Sequence, residues 1–125
     1  MLLDSSAFIA FLNPHDQHNS AAVKLIGGAC TVEIHEVSVA ESLVQASASD
    51  AVSHVLAVIE ALQATVVHSR ELEGAVRIAS IRDRTALPLP DCFVLDAAVE
   101  FGESLLSFDA RLNRCAEDLG VRVKV

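Results

Sequence analysis

The sequence predicts an α/β fold: a mostly parallel five-stranded sheet with helices on both faces. Very short apolar runs alternate with longer amphipathic ones, the pattern of βα units. The 125 residues suit one domain, residues 1–125, with enough chain to bury a real core. A hydrophobic fraction of 52% excludes a disordered chain. No linker, internal repeat or low-complexity stretch interrupts the pattern.

The elements follow in order. Met1 to Asp4 reads as a strand, and Ser5-Ser6 as the N-cap of a short helix that Asn13-Pro14 stops. A second helix, Asp16 to Ile26, is expected to close on Gly27-Gly28 in a left-handed cap. Thr31 to Val37 is β-branched and alternating, the second strand. The helix expected from Ser38 to Ala48 puts Glu41 in its first turn. From Asp50 to Leu62, apolar Val52, Val55, Leu56, Ile59 and Leu62 keep the 3.6 period of a helix. Ala64 to Val67 is a third strand, and Glu71 to Arg84 a basic-faced helix broken by Leu87-Pro88-Leu89-Pro90. Asp91 opens an almost wholly apolar helix to Phe101, which places it deep in the fold. A fourth strand from Glu103 to Phe108, a helix from Ala110 to Leu119 closed by Gly120, and a last strand from Val121 to Val125 complete the chain.

Composition narrows the function. Nine Lys and Arg against 17 Asp and Glu give a net charge of −8, which excludes a polybasic nucleic-acid clamp. With no Trp or Tyr and five Phe, the chain lacks the usual aromatic platform for single-stranded nucleic acid. Cys30, Cys92 and Cys115 are too widely spaced for a zinc or redox pair and read as small core residues in a reducing compartment. Asp4 stands where a signal peptide needs basic and then apolar residues, and no run nears the roughly 20 residues of a membrane span. A cytoplasmic protein with no membrane partner is expected.

Four acids hold related positions. Asp4 ends the first strand, Glu41 follows the second, Asp91 starts the buried helix, and Asp109 follows Leu105-Leu106-Ser107-Phe108, at spacings of 37, 50 and 18 residues. With the first strand central in a doubly wound sheet, all four converge at the carboxyl edge of the strands, where ligands bind in such sheets. Clustered carboxylates repel, and protonation or a bound cation relieves the repulsion. An all-oxygen acidic site suits Mg²⁺ or Mn²⁺ rather than zinc. Such ions clamp a phosphodiester and activate water, so phosphodiester hydrolysis is the chemistry the pattern points to. The alternative for Glu41, Asp91 and Asp109 is helix capping, since an acid in a first helical turn is favoured by the macrodipole.

Asp4-Ser5-Ser6, Val39-Ala40-Glu41-Ser42, Leu89-Pro90-Asp91 and Ser107-Phe108-Asp109 resemble the four acidic motifs of PIN-domain nucleases. The whole chain resembles the VapC toxins of bacterial toxin–antitoxin pairs. That resemblance implies a PIN-like three-layer α/β/α fold and a metal-dependent endoribonuclease. Asp4, Glu41, Asp91 and Asp109 are then the catalytic quartet, binding one or two Mg²⁺ or Mn²⁺. It also implies an RNA substrate, a homodimer, and inhibition by a VapB antitoxin whose tail places a basic residue near the acids. Ser6 matches the family's hydroxyl residue two places after the first acid and is expected to orient Asp4 or a water, unless it is only a helix-start hydroxyl. Asp96, roughly 140° around the helix from Asp91, is a candidate fifth acid behind the four, or a salt-bridge partner.

Positive charge is segregated: residues 1–69 hold one basic and seven acidic residues, residues 70–125 eight and ten. Arg77 and Arg84 share a helix face and Arg111 follows Asp109, so these three are candidates to hold RNA phosphates. The alternative is ordinary solvated faces balanced by Glu71, Glu73, Asp83 and Glu117. His15 and His18 have a spacing that can share a metal, but no third nitrogen or sulfur ligand accompanies them. Neither G-x-S-x-G nor a Gly-rich phosphate loop is present. Two other classes compete. A phosphoacceptor receiver domain needs paired acids near the first strand, an aspartate after the third and a late lysine, whereas Asp4 is alone, His68 ends the third strand and the late lysine is Lys124. A non-catalytic binding module on the same fold would not need all four acids.

Overall fold

The computed structural model describes residues 1–125. Eleven elements run in the order β1 (Leu2–Leu3), α1 (Ser5–Leu12), α2 (Asn19–Gly27), β2 (Glu33–His35), α3 (Glu36–Ser47), α4 (Val52–Ala61), β3 (Thr65–Val67), α5 (Leu72–Thr85), α6 (Leu89–Phe101), β4 (Leu105–Leu106) and α7 (Ala110–Asp118). The strands form one parallel sheet in the order β3-β2-β1-β4. Leu2 pairs with Glu33 and Leu105, and Leu3 with Ile34 and Leu106.

Because side chains alternate along a strand, each strand feeds two cores. Leu2 and Leu105 point into a cluster with Ile78, Leu87, Leu95 and Leu112, from α5, α6, α7 and the α5–α6 turn. Leu3, Ile34 and Leu106 point the other way, among Phe8, Ala22, Ile26 and Val55 of α1, α2 and α4. A parallel sheet covered on both faces is the three-layer arrangement expected, and β1 and β4 are accordingly apolar throughout. Each fully buried Leu or Phe contributes about 1.5–3 kcal/mol relative to exposure.

The fifth strand is the main departure. Residues 121–125 make only a single parallel bridge, Leu105 to Val123, through Leu105 N–H to the Arg122 carbonyl at 2.8 Å and Lys124 N–H to the Leu105 carbonyl at 2.9 Å. β4 itself is two residues long, so it offers too short an edge to propagate a ladder. Smaller shifts have local causes. Pro90 lies in the first turn of α6, where its missing N–H costs nothing, so the helix begins at Leu89 rather than Asp91. Gly28 ends α2 in a right-handed conformation (φ −90°), its N–H bonded back to the Lys24 carbonyl, and not in the left-handed cap expected. Gly102 (φ 65°) does take that left-handed form after α6, where any side chain would be strained. No helix is long and apolar enough to cross a membrane.

Candidate active site

The carboxyl edge of the sheet is where the predicted acids meet, and Asp4 is its fixed point. Directly after β1, Asp4 is 5% exposed and caps α1: its Oδ1 accepts the Ala7 N–H at 2.9 Å and the Ser6 hydroxyl at 2.7 Å. The cap is thus Asp4 itself and not Ser5-Ser6. Its Oδ2 accepts the Ser107 hydroxyl at 2.8 Å. Burial pushes the Asp4 carboxyl up, the three donors pull it back, and the Asp109 charge pushes it up again.

Ser107 was not singled out from the sequence, yet it ties two motifs together. Fully buried just after β4, it donates to Asp4 while its oxygen accepts the Asp109 N–H at 3.0 Å. The Asn113 side-chain amide donates to the Ser107 carbonyl at 2.9 Å, one turn further along α7. The sequence signal was a Ser two residues ahead of a helix-capping Asp, a spacing at which hydroxyls bond the following backbone. Ser6 does the same work from the first turn of α1: besides reaching Asp4, its oxygen accepts the Phe108 N–H at 3.0 Å.

The remaining acids arrive from three helices. Asp109 is exposed at the N-cap of α7, its Oδ1 accepting from Arg111 N–H at 2.8 Å and Leu112 N–H at 3.1 Å. It therefore caps a helix and faces the cluster at once. Asp91 is half-buried in the first turn of α6. Glu41 is not in a first turn, because α3 starts at Glu36 with no break after β2, so helix capping does not explain it. Burial, opposed by the Ser5 hydroxyl and aided by Asp4, pushes Glu41 up. Asp91 is raised to about 6, by burial first and then by the charges of Asp109, Asp4 and Glu41, with Arg111 opposing. All four acids are thus close enough to feel one another through Asp91.

Their donor chemistry is carboxylate and hydroxyl oxygen throughout, the set that hard divalent cations take. As the side chains stand, no three His, Cys, Asp or Glu residues close around a single point tightly enough to ligate an ion. The raised carboxyls supply the driving force for drawing one in, since a cation offsets both desolvation and mutual repulsion.

The other candidates are placed differently. Asp96, buried in α6, does not join the cluster: the Arg77 guanidinium bonds its two oxygens at 2.8 and 3.3 Å, and Glu100 lies 3.2 Å from the same Nε. That engagement leaves Asp96 the salt-bridge partner and turns Arg77 inward to two carboxylates. Arg111 is exposed near Asp91, with Nη2 donating to the Thr85 and Ala86 carbonyls at 3.4 and 3.3 Å. Arg84 is exposed on α5. His18 stacks on Phe108 rather than sharing a ligand site with His15.

Similar folds occur among solved structures. A toxin from Mycobacterium tuberculosis, VapC20, described as cleaving the sarcin–ricin loop, is 15% identical with a TM-score of 0.78, covering 90% of this chain and 92% of its own. A DNA-bound VapBC from Salmonella typhimurium is 19% identical with a TM-score of 0.71, covering 98% and 95%. A toxin–antitoxin complex from Klebsiella pneumoniae is 18% identical with a TM-score of 0.71, covering 86% and 85%. No curated protein sequence matches the chain. The PIN-domain family model matches residues 1–118, which span all four acids and every regular element, and the chain belongs to the PIN-domain family.

Proposed function

We propose that the chain is the toxin of a VapB–VapC pair: a divalent-metal-dependent endoribonuclease that hydrolyses RNA phosphodiester bonds, folded as one domain and acting as a homodimer. One observation carries the reading, the convergence of Asp4, Glu41 and Asp109 on Asp91 at the carboxyl edge of a parallel sheet. Family membership supports the nuclease class. The VapC toxin and VapBC assembly that share the fold support the toxin role and a VapB-type partner.

Asp4, Glu41, Asp91 and Asp109 would hold Mg²⁺ or Mn²⁺. Bound there, such an ion polarises the scissile phosphate and lowers the pKa of the attacking water. Asp4 is locked by the Ala7 amide and the Ser6 and Ser107 hydroxyls, so little reorganisation is needed when charge develops. Ser107 holds Asp109 in register with Asp4. Arg111, beside Asp91, is positioned to receive a phosphate oxygen of the flanking backbone, and Arg84 extends the cationic side. An antitoxin cation near Asp91 would compete for the same charge.

The test is cleavage of total RNA by protein freed of any antitoxin, with Mg²⁺ or Mn²⁺, beside Asp4→Asn and Asp91→Asn. Wild type should cut and both variants fall by two or more orders of magnitude. Equal cutting by all three overturns the site. No cutting by metal-loaded wild type, with no growth arrest on expression, overturns the activity.

A further inference from the structure

The edge that carries the acids also carries a pair of stacked rings. The His18 imidazole and the Phe108 ring lie face to face, centroids 4.4 Å apart and planes within 3° of parallel. Phe108 stands between Ser107 and Asp109, and its N–H is tied through the Ser6 hydroxyl to Asp4. The pair is therefore indexed rigidly to the carboxylates.

His18 reaches this place from the turn ahead of α2. That turn is braced, with the His18 N–H donating to Asp16 Oδ1 at 2.7 Å and the Asn19 side chain donating to the Ala10 and Phe11 carbonyls at 2.9 and 3.2 Å. The imidazole itself caps nothing, although His18 occupies the N-cap position. Both residues are partly exposed, and the rest of the Phe108 ring packs against the core that Leu3, Phe8 and Leu106 share.

We propose that the His18–Phe108 pair is a stacking platform for one unpaired nucleobase of the RNA, adjacent to the phosphate being cut. The proposal rests on the nuclease reading and adds the part of the substrate it grips. Single-stranded RNA is recognised chiefly by splaying bases onto aromatic and histidine side chains. A chain with net charge −8 has little to gain from phosphate contacts alone, and stacking is indifferent to that charge. The rings are already parallel and held by their backbones, so adding a base costs little further ordering.

The test measures binding, not turnover. In the Asp91→Asn background with Mg²⁺, which keeps strands uncut, fluorescence anisotropy compares fluorescein-labelled octauridylate and octaadenylate with an abasic strand of equal length. His18→Ala should weaken binding of the base-bearing strands about 5- to 100-fold and leave the abasic strand unchanged. His18→Phe should restore binding, and Phe108→Leu, which keeps an apolar side chain against the core but removes the ring, should lose it. Base-bearing strands held as tightly by His18→Ala as by its parent overturn the platform, as does equal loss for the abasic strand. A parent that prefers neither base-bearing strand over the abasic one also overturns it. The nuclease reading falls separately, only if metal-loaded wild type leaves RNA intact.

Discussion

Replacing Asp91 by Asn should make the metal-free protein more stable while disabling it. The Asp91 carboxyl is raised from 3.8 to about 6 by burial and by three neighbouring acids, and a gap of that size corresponds to about 3 kcal/mol against the folded state when it is ionised. Asp91 is half-buried, so solvent screening reduces this to about 1.5 kcal/mol. Its place in the first turn of α6 favours the charge by about 0.3–1 kcal/mol, leaving a net cost near 1 kcal/mol. For a chain of this length that is about 4 °C in melting temperature. The sign with pH follows from the raised value. As pH falls through the unfolded value of 3.8 both chains become protonated and the cost fades away. As pH rises the unfolded chain ionises first, and the cost is complete above the folded value near 6. Thermal melts in EDTA should therefore show Asp91→Asn ahead of wild type at pH 7.5 and close to level at pH 4. Adding Mg²⁺ at pH 7.5 should raise the wild type more than the variant, because ligation stabilises only the form that binds. An Asn variant that melts at or below wild type at pH 7.5, or keeps its full advantage at pH 4, refutes the account of a charge held against its neighbours.

Three further outcomes are expected. Ser107→Ala removes the hydroxyl joining Asp4 to the Asp109 amide and should cost about 1–3 kcal/mol in urea denaturation, with Ser107→Thr recovering part of it; an Ala variant as stable as wild type would show the bond to be dispensable. Leu95→Ala in the centre of α6 should cost about 2–5 kcal/mol, read the same way, and a loss under 1 kcal/mol would mean the core there is not close-packed. Arg111→Gln should lower the salt dependence of RNA binding by about one in slope, whereas Arg77→Gln should leave the slope unchanged and lower the melting temperature, since Arg77 serves Asp96 and Glu100; reversed results would exchange their roles.

Much of this edge was readable because acids and strands obey local rules. Leu2-Leu3-Asp4 and Leu105-Leu106 announce buried parallel strands by composition alone, and the acids follow from where such strands end. Glu41 was displaced by one turn because strand and helix abut at His35–Glu36, a junction that no breaking residue marks. Asp96 illustrates a different limit: its helical angle from Asp91 is fixed by sequence, but its partner Arg77 lies on another helix 19 residues earlier, and only packing decides that they meet. The stacked rings do not show in the Trp and Tyr content for the same reason, since one of them is a histidine brought 90 residues through the chain to its phenylalanine.

The strand order also dictates when in folding the carboxylate edge is completed. Leu2 and Leu3 pair with Leu105 and Leu106, so the contacts that seat β1 are of very high sequence separation. A nascent chain arrested before Leu105 already carries Asp4, Glu41 and Asp91, but it lacks β4, Ser107 and Asp109. Docking of β4 beside β1, rather than synthesis of any one acid, is the step that brings Ser107 and Asp109 to Asp4 and completes the carboxylate edge.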